Sequence, residues 1–202
     1  MSLLTCRRRG VGKSSPYDAE VEYLESTGTQ YIDTLFLPNN NTRIIATLSF
    51  GSMSGWEVIF GTRYASGSRE YSLQSFNGTG RVRICYGSTA SSGAVNVGTN
   101  NKVNIDFNKN KLTAGSASET TTAQTFTAAR TLFLFALHES DNSTSNRCYK
   151  GRIWALKIYD NGVLIRDYIP VRKGQVGYMY DKVSNQLFGN GGTGNFILGS
   201  DK

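Results

Sequence analysis

YKGRIWALKIYDNGVLIRDYIPVR, residues 149–172, contains two long strand patterns in succession. The first is predicted to end in a turn at Asn161-Gly162, a dipeptide typical of two-residue hairpin turns. The second, from Val163 to Arg172, is predicted to form a strand that returns beside the first. The stretch therefore favours a long antiparallel hairpin and an architecture built from strands.

Shorter strand patterns continue from this hairpin towards the N terminus. Gly, Ser or Asn separates nearly every pair of them, and no apolar stripe at helical spacing lasts for two turns. Short strands without intervening helices predict an all-β protein with two packed antiparallel sheets. The patterns cover residues 21–24, 30–36, 43–50, 56–60, 70–76, 81–86, 102–107 and 131–138.

Two connecting segments have patterns of their own. Asn108-Lys109-Asn110-Lys111 lies between two short apolar runs and predicts a tight hairpin. Residues 114–129 are rich in Thr, Ser and Ala, and they fit either an edge strand or an exposed loop.

Alternation within the strands predicts which side chains face the core. Ile44, Ala46 and Leu48 are expected on one face of their strand, and Ile45, Thr47 and Ser49 on the other. Residues 132–137 are apolar on both faces, which suits a central strand that is covered on both sides. Leu156 and Ile158 are expected in the core. Trp154 shares their parity and is expected there too, although a bulge beside Ile153 would turn it outward.

The composition excludes several classes of protein. Charged residues make up 18% of the 202 residues, below the usual fraction of about 25%, which argues against a charged helical bundle. A single His and three scattered Cys exclude a zinc ribbon, and no apolar run approaches the roughly 18 residues of a membrane span. Cys6, Cys85 and Cys148 are too few and too scattered for a disulfide framework, while a Cys85–Cys148 bridge stays open.

The positive charge is concentrated in an N-terminal arm, residues 1–16. The net charge is +7, and Arg7, Arg8, Arg9 and Lys13 contribute four of it before the first acidic residue, Asp18. Such an arm could dock on phosphates or on an acidic partner, or it could be a solubilising tail, and both alternatives stay open. The arm lacks the apolar run of a secretory signal, so we expect a chain that is made in the cytoplasm.

Three stretches carry a resemblance to a known family. They are the 149–172 hairpin preceded by LFLFA (132–136), VEYLESTGTQYIDT (21–34), and GYMYDKVSNQLFGN (177–190) followed by GTGNF (192–196). Together they resemble the laminin-G-like, concanavalin-A-like jelly-roll domains of gut bacterial surface proteins and their phages. The resemblance implies a two-sheet antiparallel jelly-roll sandwich over residues 17–202, with a C-terminal extension that starts near residue 170.

Relatives of this fold include glycoside hydrolases, which need two carboxylates about 5–9.5 Å apart. Glu139-Ser140-Asp141 has the spacing of the first two acids of a Glu-x-Asp-x-x-Glu pattern, but Thr144 occupies the third acidic position. Glu20-Val21-Glu22 has a suitable spacing and opens the domain instead of lining its centre. His138 has no recognisable Ser or Cys partner for a triad. We predict that the chain is not an enzyme.

Sugar-binding modules stack aromatic rings on pyranose faces and surround them with amide and charged groups. Each single aromatic residue has an alternative to sugar binding, which we favour: its ring packs in the core or pairs with a neighbour on the sheet surface. The resemblance also implies calcium, for which Asp141 with Asn142 is the acidic loop pair that we nominate. The candidate glycan-binding residues, from mid-chain strands and loops, are Trp56, Arg63, Tyr64, Arg69, Tyr71, Gln74, Asn77 and Tyr86.

Two functions fit these observations. The first is a non-catalytic glycan-binding or adhesion module on a phage virion or a bacterial surface. The second is a structural virion protein, such as a capsid decoration, head fibre or tail component, whose basic arm docks it to a larger assembly. Sequence-specific nucleic-acid binding is not expected, because no helix is predicted that could enter a DNA groove. A homo-oligomer stays open.

Overall fold

The computed structural model describes residues 15–65, 68–140, 143–144 and 148–202. Their regular secondary structure consists of strands, and no helix occurs among them. None of these residues therefore forms a helix that could cross a membrane. The strands are β1 (Ala19–Glu20), β2 (Leu24–Thr27), β3 (Ile32–Asp33), β4 (Thr42–Phe50), β5 (Val58–Thr62), β6 (Glu70–Ser75), β7 (Arg81–Gly87), β8 (Thr89–Ala90), β9 (Val95–Asn96), β10 (Val103–Asn108), β11 (Lys111–Ala114), β12 (Ala117–Thr120), β13 (Phe133–Leu134), β14 (Leu137–Ser140), β15 (Ser143–Thr144), β16 (Lys150–Asp160), β17 (Val163–Lys173), β18 (Val176–Asp181), β19 (Gln186–Phe188) and β20 (Ile197–Leu198).

These strands form two sheets. The larger has the order β12-β11-β10-β4-β16-β17-β18-β19, with β1 beside β17, β2 beside β16, and β20 beside β2. The smaller has the order β15-β14-β5-β6-β7-β8, with β13 between β3 and β5, and β9 beside β7. One continuous core cluster takes side chains from both sheets, for example Ile44 and Leu156 from the larger and Leu73 and Ile84 from the smaller. The predicted all-β, two-sheet antiparallel sandwich is thus confirmed. The pairing of β14 with β5 is an exception, because it is parallel.

The long hairpin is confirmed as β16 and β17, each 11 residues long. Asn161 has a φ of 49° and Gly162 a φ of 81°, the two positive angles that a type I′ turn requires. The tight hairpin at 108–111 is confirmed too, because Asn108 pairs with Lys111 between β10 and β11. Residues 114–129 contain both of the structures that their sequence allowed, an edge strand and a loop: β12 is an edge strand, and an irregular segment follows it.

The faces of β4 follow the predicted alternation, and Leu156 and Ile158 are in the core. The prediction for Trp154 is wrong. The register between β16 and β4 shifts between Ile153 and Ala155, and this bulge turns the indole outward. There the Trp154 ring lies edge-on to Tyr23, 5.3 Å between centroids, and is only partly buried.

Two other predicted strands are interrupted. Residues 132–137 are buried as expected, but Phe135 has a φ of 64°, which ends β13 and separates it from β14. The predicted strand 30–36 shrinks to β3, because Leu35 has a φ of 55° and turns the chain. In both places the apolar pattern missed the local left-handed backbone, and this conformation leaves Leu35 65% exposed.

No disulfide joins Cys85 to Cys148. Burial, with a smaller contribution from the nearby Glu70 carboxylate, raises the pKa of the Cys85 thiol from 9.0 to about 12. In the unfolded chain this thiol ionises near pH 9, so the unfolded state loses its proton first as the pH rises. The stabilisation from the neutral thiol is therefore complete below pH 9 and is lost between pH 9 and about 12.

We expect the free energy of unfolding to fall as the pH rises above 9, by up to about 1.4 kcal/mol per pH unit from this group. Urea unfolding between pH 8 and 10.5 measures the decline. Burial also raises the pKa of Tyr71 and Tyr149, which add to it above pH 10. The Cys85→Ala variant isolates the thiol: its decline should be shallower, and an identical slope would contradict the assignment.

Candidate functional site

Several turns and loops meet at one end of the sandwich, around the start of β4. The register places Arg43 of β4 opposite Asn108 of β10 on one side and opposite Tyr159 of β16 on the other. The turns that follow these two strands therefore lie on either side of β4. We call this region the asparagine-rich end and define it by Asn40, Asn41, Asn108, Asn110 and Asn161.

Three shallow depressions lie side by side across the asparagine-rich end. The first, about 470 Å³, is lined by residues 68–69, 87–88 and 124–127. The second, about 380 Å³, is lined by residues 40–41, Tyr86, 109–110 and 123–125. The third, about 440 Å³, is lined by Asn41, Arg43, Asn108, Lys109, Tyr159, Asn161 and Gly162. Shared residues connect them: Gln124 and Thr125 line the first and second, and Asn41 and Lys109 the second and third.

One aromatic residue lines each depression, and its ring is partly exposed in the first and the third. Phe126 lines the first and lies edge-on to Tyr86, which lines the second, with 4.9 Å between the ring centroids. The Tyr86 ring is almost wholly buried, and its hydroxyl donates a hydrogen bond to the carbonyl of Asn40, 2.7 Å away. Tyr159 lines the third depression and is partly exposed, with the Arg43 guanidinium carbon 5.8 Å from its ring centroid.

Hydrogen bonds hold the surrounding amides in place. The Asn41 amide donates to the side-chain oxygen of Asn161 at 2.8 Å, which joins the loop before β4 to the turn after β16. The Asn110 amide donates to the carbonyl of Thr121 at 2.6 Å. The side-chain oxygen of Gln124 accepts from the backbone N–H of Ser88 at 2.9 Å. The lining is therefore largely preformed, and it offers amide donors and acceptors beside aromatic surface.

The positive groups at this end differ in their partners. Arg43 binds Asp106 through two hydrogen bonds of 2.8 and 2.6 Å, and these raise the pKa of the guanidinium. The Arg69 guanidinium carbon lies 6.0 Å from the ring centroid of Tyr64. Neither Arg69 nor Lys109 forms an ion pair with any residue in the described part of the chain.

Two more of the predicted glycan-binding residues belong to this end besides Tyr86. Arg69 lines the first depression. Tyr64 is 57% exposed beside it, and the Arg130 guanidinium carbon also lies close to its ring, 5.5 Å from the centroid.

Besides Tyr86, three more of the predicted residues are buried, which removes their side chains from any surface site. Tyr71 lies wholly in the core, stacked on Phe107 with 4.3 Å between centroids. Gln74 is buried and donates to Glu70 at 2.6 Å. Arg63 is buried and forms an ion pair with Glu139. The polar and aromatic residues in the middle of the chain did not reveal which side chains face inward, because polar side chains of β6 are buried.

Trp56 and Asn77 lie at the opposite end of the sandwich. Trp56 precedes β5 and Tyr64 follows it, so this strand separates the two. The Arg83 guanidinium lies over the Trp56 indole, 4.0 Å from the ring centroid, and Phe76 meets the indole edge-on. The predicted set is therefore divided between two ends and the core.

The amide-rich turns at 108–110 and Asn161 were predicted from the sequence, but only as turns, and the asparagines at 39–41 lie between two predicted strands. Their proximity depends on the pairing of β4 with both β10 and β16, which local patterns do not show. Tyr159 and Phe126 were missed for the same reason.

The remaining candidates from the sequence are His138, the nominated calcium ligands and the basic residues of the arm. His138 is hydrogen-bonded through Nδ1 to the Thr131 carbonyl at 2.9 Å, and its ring stacks on Phe133. Asp141 and Asn142, the nominated calcium ligands, lie outside the described residues, as do Arg7, Arg8, Arg9 and Lys13 of the arm. Among the described residues no group of three His, Cys, Asp or Glu side chains could hold a metal ion.

No family model and no curated protein sequence matches the chain. Among solved structures, it is similar to a crystal structure of a Bacteroides ovatus protein that is named for a proposed carbohydrate-binding function. The TM-score is 0.53 at 8% sequence identity, and the match covers 89% of this chain and 60% of the other. The chain thus spans less than two thirds of that protein. At this identity the likeness shows the fold alone, an all-β sandwich of two sheets.

Proposed function

We propose that the chain is a non-catalytic carbohydrate-binding module and that its site is the asparagine-rich end. The observation that carries the proposal is the combination, in three connected depressions, of amide and hydroxyl groups with two partly exposed aromatic rings, Phe126 and Tyr159. Pyranose rings present apolar faces that stack on aromatic rings and hydroxyls that hydrogen-bond to amides. A row of such depressions suits consecutive units of a glycan chain.

Two further observations support this proposal. The similar Bacteroides ovatus protein is named for carbohydrate binding, and the sequence resembles laminin-G-like, concanavalin-A-like jelly rolls. Because one fold hosts many activities, both support the class of function and not the site. Binding without hydrolysis is proposed because no described residue that lines the depressions carries a carboxyl group, which a glycosidase needs as its acid.

The module is proposed to be displayed on a phage virion or a bacterial surface, with the arm of residues 1–16 as its attachment. The sequence feature that supports this is the cluster of four positive charges before Asp18. The second function, a structural virion protein, uses the same arm for attachment. The two functions are compatible, because the arm attaches the chain to the virion while the sandwich faces outward from it.

Binding to an array of neutral and acidic glycans tests the proposal. The Tyr159→Ala change removes the ring of the third depression and should weaken binding about ten-fold, which corresponds to roughly 1.4 kcal/mol. Tyr159 is partly exposed on the sheet surface, so the variant should remain folded. Trp56→Ala is the matched control, since it removes a partly exposed ring at the other end.

Loss of binding with Trp56→Ala and normal binding with Tyr159→Ala would move the site to the other end of the sandwich. Silence of the unmodified chain on the whole array would contradict the proposed function.

A further inference from the structure

The depressions of the asparagine-rich end are lined by cations and not by anions. Arg69 lines the first, Lys109 the second and third, and Arg43 the third. Of the described residues that line the three depressions, none is Asp or Glu. A site built only to hydrogen-bond neutral hydroxyl groups has no need for this one-sided charge.

Two carboxylates beside the third depression, Asp106 and Asp160, already accept hydrogen bonds from groups of the protein. Asp106 accepts both hydrogen bonds from Arg43, so this pair is close to neutral. Asp160 accepts from the side-chain amides of Asn39 at 2.7 Å and Asn161 at 2.9 Å. These bonds satisfy part of its hydrogen-bonding capacity and hold the turn after β16.

Two cations, Arg69 and Lys109, line the depressions and form no ion pair with a carboxylate in the described part of the chain. Lys109 is exposed, has a φ of 55° at the tip of the β10–β11 turn, and lines two of the depressions. Arg69 is exposed at the far side of the first depression and has a φ of 49°. Among L residues such backbone angles are uncommon, and here each of them occurs where the chain turns beside a depression.

We propose that the asparagine-rich end recognises an anionic polysaccharide, one that carries carboxylate or sulfate groups on successive sugar units. The proposal rests on the proposed function and adds the class of glycan. Lys109 and Arg69 contact the acidic groups of the ligand, the amides bind its hydroxyls, and the partly exposed rings of Phe126 and Tyr159 pack on its sugar rings. Arg69 lines the first depression and Lys109 the second and third, so a glycan with repeated charges that spans the row meets both, whereas a singly charged sugar meets one.

The magnitude of the effect follows from the exposure of the cations. Exposed ion pairs are weak and are screened by salt, while charge-assisted hydrogen bonds to carboxylate or sulfate are stronger. We expect each neutralising substitution, Lys109→Gln or Arg69→Gln, to weaken binding roughly three- to ten-fold. The double variant should lose more than either single variant, and its binding should depend less on salt concentration.

Titration of the full chain with four polymers tests this. Polygalacturonate supplies carboxylates, heparin supplies sulfates, dextran is the neutral glycan, and duplex DNA is a polyanion without pyranose rings. We expect one or both acidic glycans to bind at least about ten-fold more tightly than dextran and DNA. Their binding should weaken as the salt concentration rises from about 50 to about 300 mM, because salt screens the attraction between the charges. Polygalacturonate against heparin distinguishes the two acidic groups.

The matched control is Lys173→Gln, because it removes the same charge from an exposed lysine at the far end of β17. It should leave affinity unchanged. Equal binding of dextran and the acidic glycans would overturn the anionic class and leave the proposed function standing. Equal binding of DNA, or equal losses with Lys173→Gln and Lys109→Gln, would show a non-specific charge effect and overturn the inference. No binding to any glycan would overturn the proposed function itself.

Discussion

Replacing Tyr71 with alanine is expected to lower the free energy of unfolding by about 3–5 kcal/mol, the range for truncating a large buried aromatic side chain. The Tyr71 ring is wholly buried and stacks on Phe107. Its hydroxyl donates to the carbonyl of Phe107 at 3.1 Å and lies 3.3 Å from the carbonyl of Thr42. The truncation would leave a cavity between the two sheets and two buried carbonyls without this partner.

Urea unfolding measures the loss, and Tyr71→Phe separates its two causes. The phenylalanine variant keeps the ring and loses only the hydroxyl, so a cost of about 1 kcal/mol is expected. If Tyr71→Ala unfolded at the same urea concentration as the unmodified protein, the burial of this ring would be contradicted. The comparison also separates an effect on stability from an effect on binding. Any loss of glycan binding by the alanine variant should be proportional to the fraction of the protein that is unfolded.

Replacing Asp181 with alanine is expected to cost about 2–4 kcal/mol, because it removes a wholly buried carboxylate that holds several donors. Asp181 accepts from the backbone N–H of Asp167 at 2.8 Å and of Val183 at 3.1 Å, and from the Ser184 hydroxyl at 2.7 Å. The Arg166 guanidinium is 3.8 Å away. The carboxylate therefore joins the turn after β18 to β17, and its removal leaves buried N–H groups unsatisfied.

In a domain of this size a loss of 2–4 kcal/mol lowers the thermal midpoint by roughly 4–16 °C. Asp201→Ala is the control, since Asp201 forms an ion pair with Arg172 at 2.5 Å on the surface. Solvent screens an exposed pair so that it contributes little to stability, and this variant should therefore melt close to the unmodified protein. Similar midpoints for both variants would show that Asp181 does not stabilise the turn between β18 and β19.

The hairpin of β16 and β17 and the class of fold could be predicted from the sequence because their signals are local. The Asn161-Gly162 turn and the alternation along β4 need no knowledge of distant residues. The errors arose where the backbone departs from regular geometry. The bulge at Trp154 and the positive φ of Phe135 both reverse the direction of a side chain while the apolar pattern continues. Such features depend on neighbouring strands, and a single segment does not reveal them.

The candidate site was less predictable than the fold. A polar or aromatic residue in a strand faces either the core or the solvent, and residue type alone does not decide which. Tyr71 and Gln74 turned out to be buried, while the half-exposed Tyr159 belongs to the asparagine-rich end. Residues from six separate segments line the three depressions, and only the pairing of distant strands brings them together. Of the eight predicted residues, Arg69 and Tyr86 line a depression.

The central claim is that a glycan binds at the asparagine-rich end of the sandwich. Amide hydrogen exchange of the full chain, with and without a saturating acidic oligosaccharide such as oligogalacturonate, tests it most directly. The account predicts slower exchange in residues 38–42, 108–111, 121–127 and 159–163, and unchanged exchange around Trp56 and Phe76. Protection centred on Trp56, with none in the four predicted segments, would contradict the account.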